Sequence, residues 1–115
     1  AKQNIAAHYD LGNDFYALWL DPSMTYSSAV FAGGNTDLQA AQAEKNRRLM
    51  DLAAIGEGDR VLEVGCGWGG FAMQAARERG AHVTAITVSR AQFDEAQKRV
   101  AAAGLGEKVE IQLRD

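Results

Sequence analysis

The segment Glu63-Val64-Gly65-Cys66-Gly67-Trp68-Gly69-Gly70 constrains this chain more than any other, because it joins a short apolar run to a helical pattern. Four glycines in six residues let the backbone turn sharply and come within contact distance of a ligand, with no Cβ in the way. The plain alternative is a tight turn that needs glycine only for its φ angles, and four glycines exceed that need. Around the loop the pattern alternates. Arg60 to Gly65 reads as a buried strand, Phe71 to Arg79 as a helix stopped by Gly80, and Ala81 to Thr87 as a second strand. Ser89-Arg90-Ala91-Gln92 has the form of a capping box opening a helix to about Ala103, and Gly104 and Gly106 lead to a third strand, Val109 to Leu113. The order β-α-β-α-β with short connections predicts a parallel, right-handed α/β half-sheet, the first half of a doubly wound domain. In such a sheet, ligands sit beyond the carboxyl ends of the strands, where the glycine loop lies.

Upstream, Thr36-Asp37-Leu38-Gln39 is a further capping-box pattern, opening a helix to about Ala54 that Gly56 and Gly58 close. Leu38, Ala41, Leu49, Leu52 and Ala53 give that helix an apolar face, and Glu44, Lys45, Arg47 and Arg48 read as its solvated side. Residues 1–35 have a different texture, holding six of the nine aromatic residues. Asn13 suits the cap of a short helix through Leu20, and Pro22 stops it at Asp21. Two segments result: an N-terminal helical lid or substrate segment, 1–35, and a ligand-binding half-domain, 36–115. A chain of 115 residues, 47% hydrophobic and 23% charged, holds one globular core at most. Its net charge of −3 supplies no basic excess for a row of phosphates, which excludes nucleic acid as the expected partner. Cys66 is the only cysteine, so no internal disulfide forms. Neither a membrane-length apolar run nor a signal-peptide pattern is present, so a cytoplasmic location is expected. No set of His, Cys, Asp or Glu has metal-ligand spacing, so no metal is expected.

Two ligands compete for the loop. Gly65, Gly67 and Gly70 satisfy G-x-G-x-x-G, but a dinucleotide site wants an acidic residue at the end of the second strand, where this chain has Thr87. The other reading is Glu63-x-Gly65-x-Gly67-x-Gly69, the first motif of S-adenosylmethionine (SAM) methyltransferases. SAM presents a cationic amine and sulfonium where a dinucleotide presents a pyrophosphate, and a carboxylate in a partly desolvated cleft suits a cation.

Four segments carry a closer resemblance: Ala7-His8-Tyr9-Asp10-Leu11-Gly12-Asn13-Asp14-Phe15-Tyr16, Asp21-Pro22-Ser23-Met24-Thr25-Tyr26-Ser27-Ser28-Ala29, the glycine loop, and Ile86-Thr87-Val88-Ser89 with Gln92. Together they closely resemble the cyclopropane-fatty-acyl-phospholipid synthase family, which includes mycolic acid cyclopropane synthases, across essentially the whole chain. The resemblance implies a Rossmann-like SAM-dependent methyltransferase fold, present here as its first half after an N-terminal helical segment. It implies transfer of a methyl or methylene group to the cis double bond of an unsaturated phospholipid acyl chain, by an enzyme peripheral to the membrane surface. It also implies a cofactor site made by Tyr26, Ser27, Glu63, Gly65, Cys66, Gly67, Gly69, Thr87 and Gln92, and bicarbonate as a helper in the full-length enzyme. Ser28 stands where the family often has a bicarbonate-proximal cysteine, which bears on whether the product is a cyclopropane. The family's other bicarbonate ligands follow the third strand, so this chain alone is expected to bind SAM without catalysis.

Other functions keep specific residues open. A non-catalytic SAM-binding fragment would complete its sheet by pairing with a second copy, so a homo-oligomer is expected. An N- or C-methyltransferase acting on a small molecule would share the same motifs, and a nicotinamide oxidoreductase is opposed by Thr87. His8 and Tyr9 read as helix packing near the ligand, Trp68 as a wall of the site, and His82 as solvated surface. Cys66 also has a reading as a small buried filler. Gln92 could instead close its capping box on the backbone of Ser89.

Overall fold

A computed structural model describes residues 21–25, 29–34 and 37–115. The expected helix between Asn13 and Leu20, together with His8, Tyr9, Tyr26, Ser27 and Ser28, lies outside these residues. The first described helix, α1, runs Leu38–Leu52. Its N-cap is Asp37, whose carboxylate accepts the Gln39 N–H, and not Thr36 as the capping-box pattern predicts. A carboxylate satisfies an orphan N–H as a hydroxyl does, and it adds attraction to the positive end of the helix. The helix also stops two residues before Ala54. Ala54 takes φ +54°, the Ala54 N–H donates to Asp51 O, and the Ile55 N–H donates to Met50 O at 2.9 Å. This pair of bonds is a Schellman closure with alanine in the position that usually holds glycine.

The buried face of α1 differs from the expected one. Ala41, Gln42, Asn46 and Met50 face inward, whereas Leu49 is 47% exposed and Leu52 is 85% exposed. Polar side chains can occupy the inner face because they are paired. Asn46 Nδ2 donates to Gln74 Oε1 at 2.9 Å, and Gln74 Nε2 donates to Ala43 O at 3.0 Å. These bonds tie α1 to the next helix with groups that hydropathy alone assigns to solvent.

Strand β1 is Arg60–Val64, helix α2 is Gly70–Arg79, β2 is His82–Thr87, α3 is Arg90–Ala102 and β3 is Val109–Leu113. All three strands pair in parallel in the order β1-β2-β3, with Glu63 beside Ala85 and Ala85 beside Ile111. The expected half-sheet is therefore present, with element ends within a residue or two of those predicted. Gly80 ends α2 in the left-handed region at φ +68°, where a side chain is rarely tolerated. One sheet face packs Val83, Ala85, Val109 and Ile111 against the helices, with Met73, Ala75, Ala96 and Val100 filling the layer. The other face shows Leu62 at 64% and Val64 at 78% exposure.

Candidate cofactor site

The glycine loop starts where β1 leaves the sheet. Gly65 at φ +78° turns the chain, and the N–H groups of Gly65 and Cys66 both donate to Ile86 O. A Cβ built on Gly65 would meet nothing within 4 Å, so glycine is needed there for its backbone angle while the space beside it stays open. Gly69 differs. Its φ is +88°, and a Cβ there would meet Ala96 Cβ at 3.5 Å and the Ile111 side chain. Gly69 thus sets how closely α2 packs on the sheet and lines neither cavity of the loop.

Gly65 and Gly67 separate two cavities. The first, about 240 Å³, is also bounded by Lys45 and Asn46 of α1, Glu63, Cys66 and Trp68. Glu63 is half-buried, its Oε1 is fully buried, and that oxygen has no hydrogen-bond partner. Burial pushes its carboxyl up to about 8 against the opposing pull of Lys45. Cys66 is a buried free thiol pushed up to about 12, first by burial and then by Glu63. It is therefore a small neutral wall residue, not an activated nucleophile.

Trp68 is 2% exposed and packs on Met24, which is 6% exposed. Met24 belongs to a short turn, residues 21–25, that lies over the start of α2. Asp21 Oδ2 accepts the Ser23 N–H at 3.0 Å, Gln42 Nε2 donates to Thr25 O, and Arg99 Nη1 donates to Pro22 O. Gly70 makes room for this turn, since a Cβ there would come within 3.3 Å of Ser23 O and nearer still to Thr25 Oγ1. Trp68 is thus a wall of the cavity, as expected, but one backed by an N-terminal turn.

The second cavity, about 340 Å³, lies beyond the ends of β1 and β2 and is bounded by Val64, Gly65, Gly67, Thr87, Gln92 and Arg114. Here Gln92 does not close its capping box through its side chain. Ser89 Oγ accepts the Gln92 N–H, but the Ser89 N–H goes to Thr87 Oγ1 at 3.1 Å. Thr87 Oγ1 in turn donates to Gln92 Oε1 at 2.9 Å. Both acceptors of this chain are thereby used, which orients the Gln92 amide and leaves its buried Nε2 without a partner. A buried amide nitrogen ordinarily finds an acceptor, so a ligand oxygen would complete the set.

Of the predicted residues, Glu63, Gly65, Cys66, Gly67, Thr87 and Gln92 converge on these two linked cavities, and Gly69 supports them from behind. Tyr26, Ser27 and Ser28 fall outside the described residues. Sequence reasoning missed Lys45 and Asn46, which it placed on solvent or did not single out. Their signal was the spacing Ala41-Lys45-Leu49 and Gln42-Asn46, two adjacent stripes on one side of α1. His82 is exposed, as expected. No group of three or more His, Cys, Asp or Glu that could hold a metal occurs among the described residues, and none of their helices is long and apolar enough to cross a membrane.

The chain matches the family described as Mycolic acid cyclopropane synthetase over residues 1–115. It is 48% identical over 122 aligned positions to the tuberculostearic acid methyltransferase UfaA1 of Mycobacterium tuberculosis, covering 100% of this chain and 28% of that protein. Among solved structures it is similar to the cyclopropane synthase MmaA2 from Mycobacterium tuberculosis, with TM-score 0.92 and 31% identity over 97% of this chain and 39% of the other. It is likewise similar to mycolic acid cyclopropane synthase CmaA1 complexed with SAH and CTAB, with TM-score 0.91 and 36% identity over 97% of this chain and 39% of the other. The chain therefore spans between a quarter and two-fifths of the length of these relatives.

Proposed function

Because the chain belongs to the mycolic acid cyclopropane synthetase family, we propose that it forms the cofactor-binding part of a SAM-dependent methyltransferase acting on lipid acyl chains. Its fold is the first half of the Rossmann-like methyltransferase sheet. The observation that carries the cofactor reading is the Thr87–Gln92 pair, which leaves one buried amide nitrogen unpaired beside an open glycine turn. That donor set suits the hydroxyls of a ribose without a carboxylate. Glu63 and the first cavity suit the cationic methionyl end, the end to which the family resemblance also assigns Tyr26 and Ser27. SAM, when bound, supplies a methyl group on a positively charged sulfur. The chain's own contribution is to hold that group in one orientation, against a wall formed by Trp68 packed on Met24.

The reading of the acceptor as the cis double bond of a lipid acyl chain draws on the relatives, one named for tuberculostearic acid and two for cyclopropane synthesis. In this reading residues 1–35 form the lid or substrate segment, residues 36–115 form the cofactor half-domain, and bicarbonate serves near Ser28 in the full-length enzyme. The enzyme works at the membrane surface from the cytoplasmic side. For the 115-residue chain alone, the unpaired edge of β1 and the exposed Leu62 and Val64 favour association with a second copy. An amine or small-molecule acceptor is the second reading, favoured by Ser28 in place of cysteine.

Calorimetry with SAM and with NAD tests the cofactor, and binding of SAM alone is expected. Mass analysis of an unsaturated phospholipid after incubation with the full-length enzyme and SAM tests the acceptor. A gain of one methylene with loss of the double bond is the cyclopropane outcome, and the same gain with a double bond retained is the branched-chain outcome. A modified amine with an unchanged acyl chain would replace the lipid reading.

A further inference from the structure

The first cavity holds a lysine and a carboxylate whose roles the fold does not explain. Lys45 comes from α1 and Glu63 from β1, and both bound the same 240 Å³ space as Gly65 and Gly67. Glu63 Oε1 is buried and has no hydrogen-bond donor, so the group can be kept there either as a neutral acid or as an anion facing a cation. Lys45 is half-buried and interacts electrostatically with Glu63. Among the described residues, no other group lining this cavity supplies a charge. Cys66 of the loop stays a thiol, β2 offers Ala85 at the paired position, α2 offers Gly70 and Phe71, and α1 adds the neutral Asn46.

We propose that this cavity exchanges a proton for a cation: the cationic end of the cofactor displaces a proton from Glu63, and Lys45 is a positioning residue that sets the pH at which the exchange occurs. This rests on the SAM reading above and deepens it. The proton balance is simple. A carboxylic acid and a bound cation give a carboxylate–cation pair, and the proton leaves to the buffer. In the empty cavity Glu63 titrates at about 8, so at neutral pH it is mostly the neutral acid. Filling the cavity with positive charge favours the carboxylate, and affinity and proton release become linked. Above the Glu63 titration the carboxylate is already formed, and no proton remains to release. The Lys45 ammonium pulls the Glu63 titration down and so sets the upper edge of the window.

Calorimetric titration of the chain with SAM, repeated in buffers of different ionisation enthalpy, reads the proton count directly. The expected result is release of about one proton per cofactor at pH 7, falling toward none above pH 9, with affinity rising about fivefold from pH 7 to pH 8. Glu63→Gln should still bind SAM, with no proton released at any pH. Lys45→Met should carry the release to higher pH, because the carboxyl then loses the charge that lowers its titration. Carboxyl NMR of the glutamates in the cofactor-free chain gives a check that needs no variant, since one carboxyl should titrate near 8. Binding of SAM with buffer-independent heat, or undiminished proton release in Glu63→Gln, would overturn the exchange while leaving the SAM reading intact. An unmoved window in Lys45→Met would remove Lys45 from it. Absence of SAM binding at every pH would overturn the cofactor reading and this inference with it.

Discussion

Ala54 occupies the left-handed position that closes α1, and it is exposed, so nothing in the packing requires a side chain there. The left-handed conformation costs an L-residue about 1–2 kcal/mol, part of which glycine gives back through the greater freedom of its unfolded chain. Ala54→Gly should therefore stabilise the fold by about 0.5–1 kcal/mol, measured by urea denaturation. Gly67 is the opposite case. It has φ +58° and borders both cavities, so Gly67→Val places a branched side chain in a strained turn against the ligand. A folded Gly67→Val sample should show no measurable SAM binding by calorimetry. Unchanged affinity would take the loop out of the site. Glu63 also makes stability depend on pH. Its folded titration, at about 8, lies above the ordinary value of 4.5, so between those values the folded chain holds a proton that the unfolded chain does not. Stability should therefore be fully present below about 4.5 and fall as pH rises toward 8, on the order of 1 kcal/mol per pH unit at most. Glu63→Gln should flatten that decline in denaturation curves taken across the range.

Between elements, polar side chains bridge α1 and α2. Asn46→Leu removes the bond from α1 to Gln74 and leaves Gln74 Oε1 buried without that donor. Loss of a buried partner costs about 1–3 kcal/mol, and the expected result is a fall in denaturation midpoint with the fold retained. By contrast, the exposed Arg47–Glu78 pair bridges the same two helices at 3.0 Å, and Arg47→Ala should cost under about 1 kcal/mol. The link between β2 and α3 runs through Thr87. Thr87→Val strands both the Ser89 N–H and Gln92 Oε1, whereas Thr87→Ser keeps both bonds. SAM affinity should drop about tenfold in the valine variant and little in the serine variant, since a factor of ten corresponds to about 1.4 kcal/mol. Equal affinities for the two would show that the hydroxyl does not orient Gln92 for the cofactor.

At the scale of the molecule, one sheet face is covered by helices and the other displays Leu62 and Val64 beside the open edge of β1. Parallel strands are ordinarily covered on both faces, and an apolar edge is a template for pairing. The 115-residue chain should therefore self-associate, and light scattering should give a mass above 12.4 kDa. Leu62→Lys combined with Val64→Lys should return it to a monomer. A monomeric parent chain would end the expectation of a homo-oligomer through this face. The same chain incubated with SAM and unsaturated phospholipid should yield no cyclopropane product.

The β-α-β-α-β order, the parallel sheet and the position of the glycine loop were all legible in the sequence, because each rests on local periodicity and on glycines at turns that need positive φ. The convergence of Glu63, Gly65, Gly67, Thr87 and Gln92 was legible for a related reason: parallel strands bring their carboxyl ends to one side of the sheet. The inward face of α1 was not legible. Leu49 and Leu52 carry the hydropathy, yet Gln42 and Asn46 are buried, because their partners Thr25 and Gln74 come from other parts of the chain. Nor could periodicity say that Lys45 faces Glu63, or that the Gln92 side chain turns to Thr87 instead of its own cap. Local pattern determined which elements form and in what order. Tertiary packing alone decided which polar groups find partners in the interior and which remain unpaired, because that depends on contacts between residues far apart in the chain.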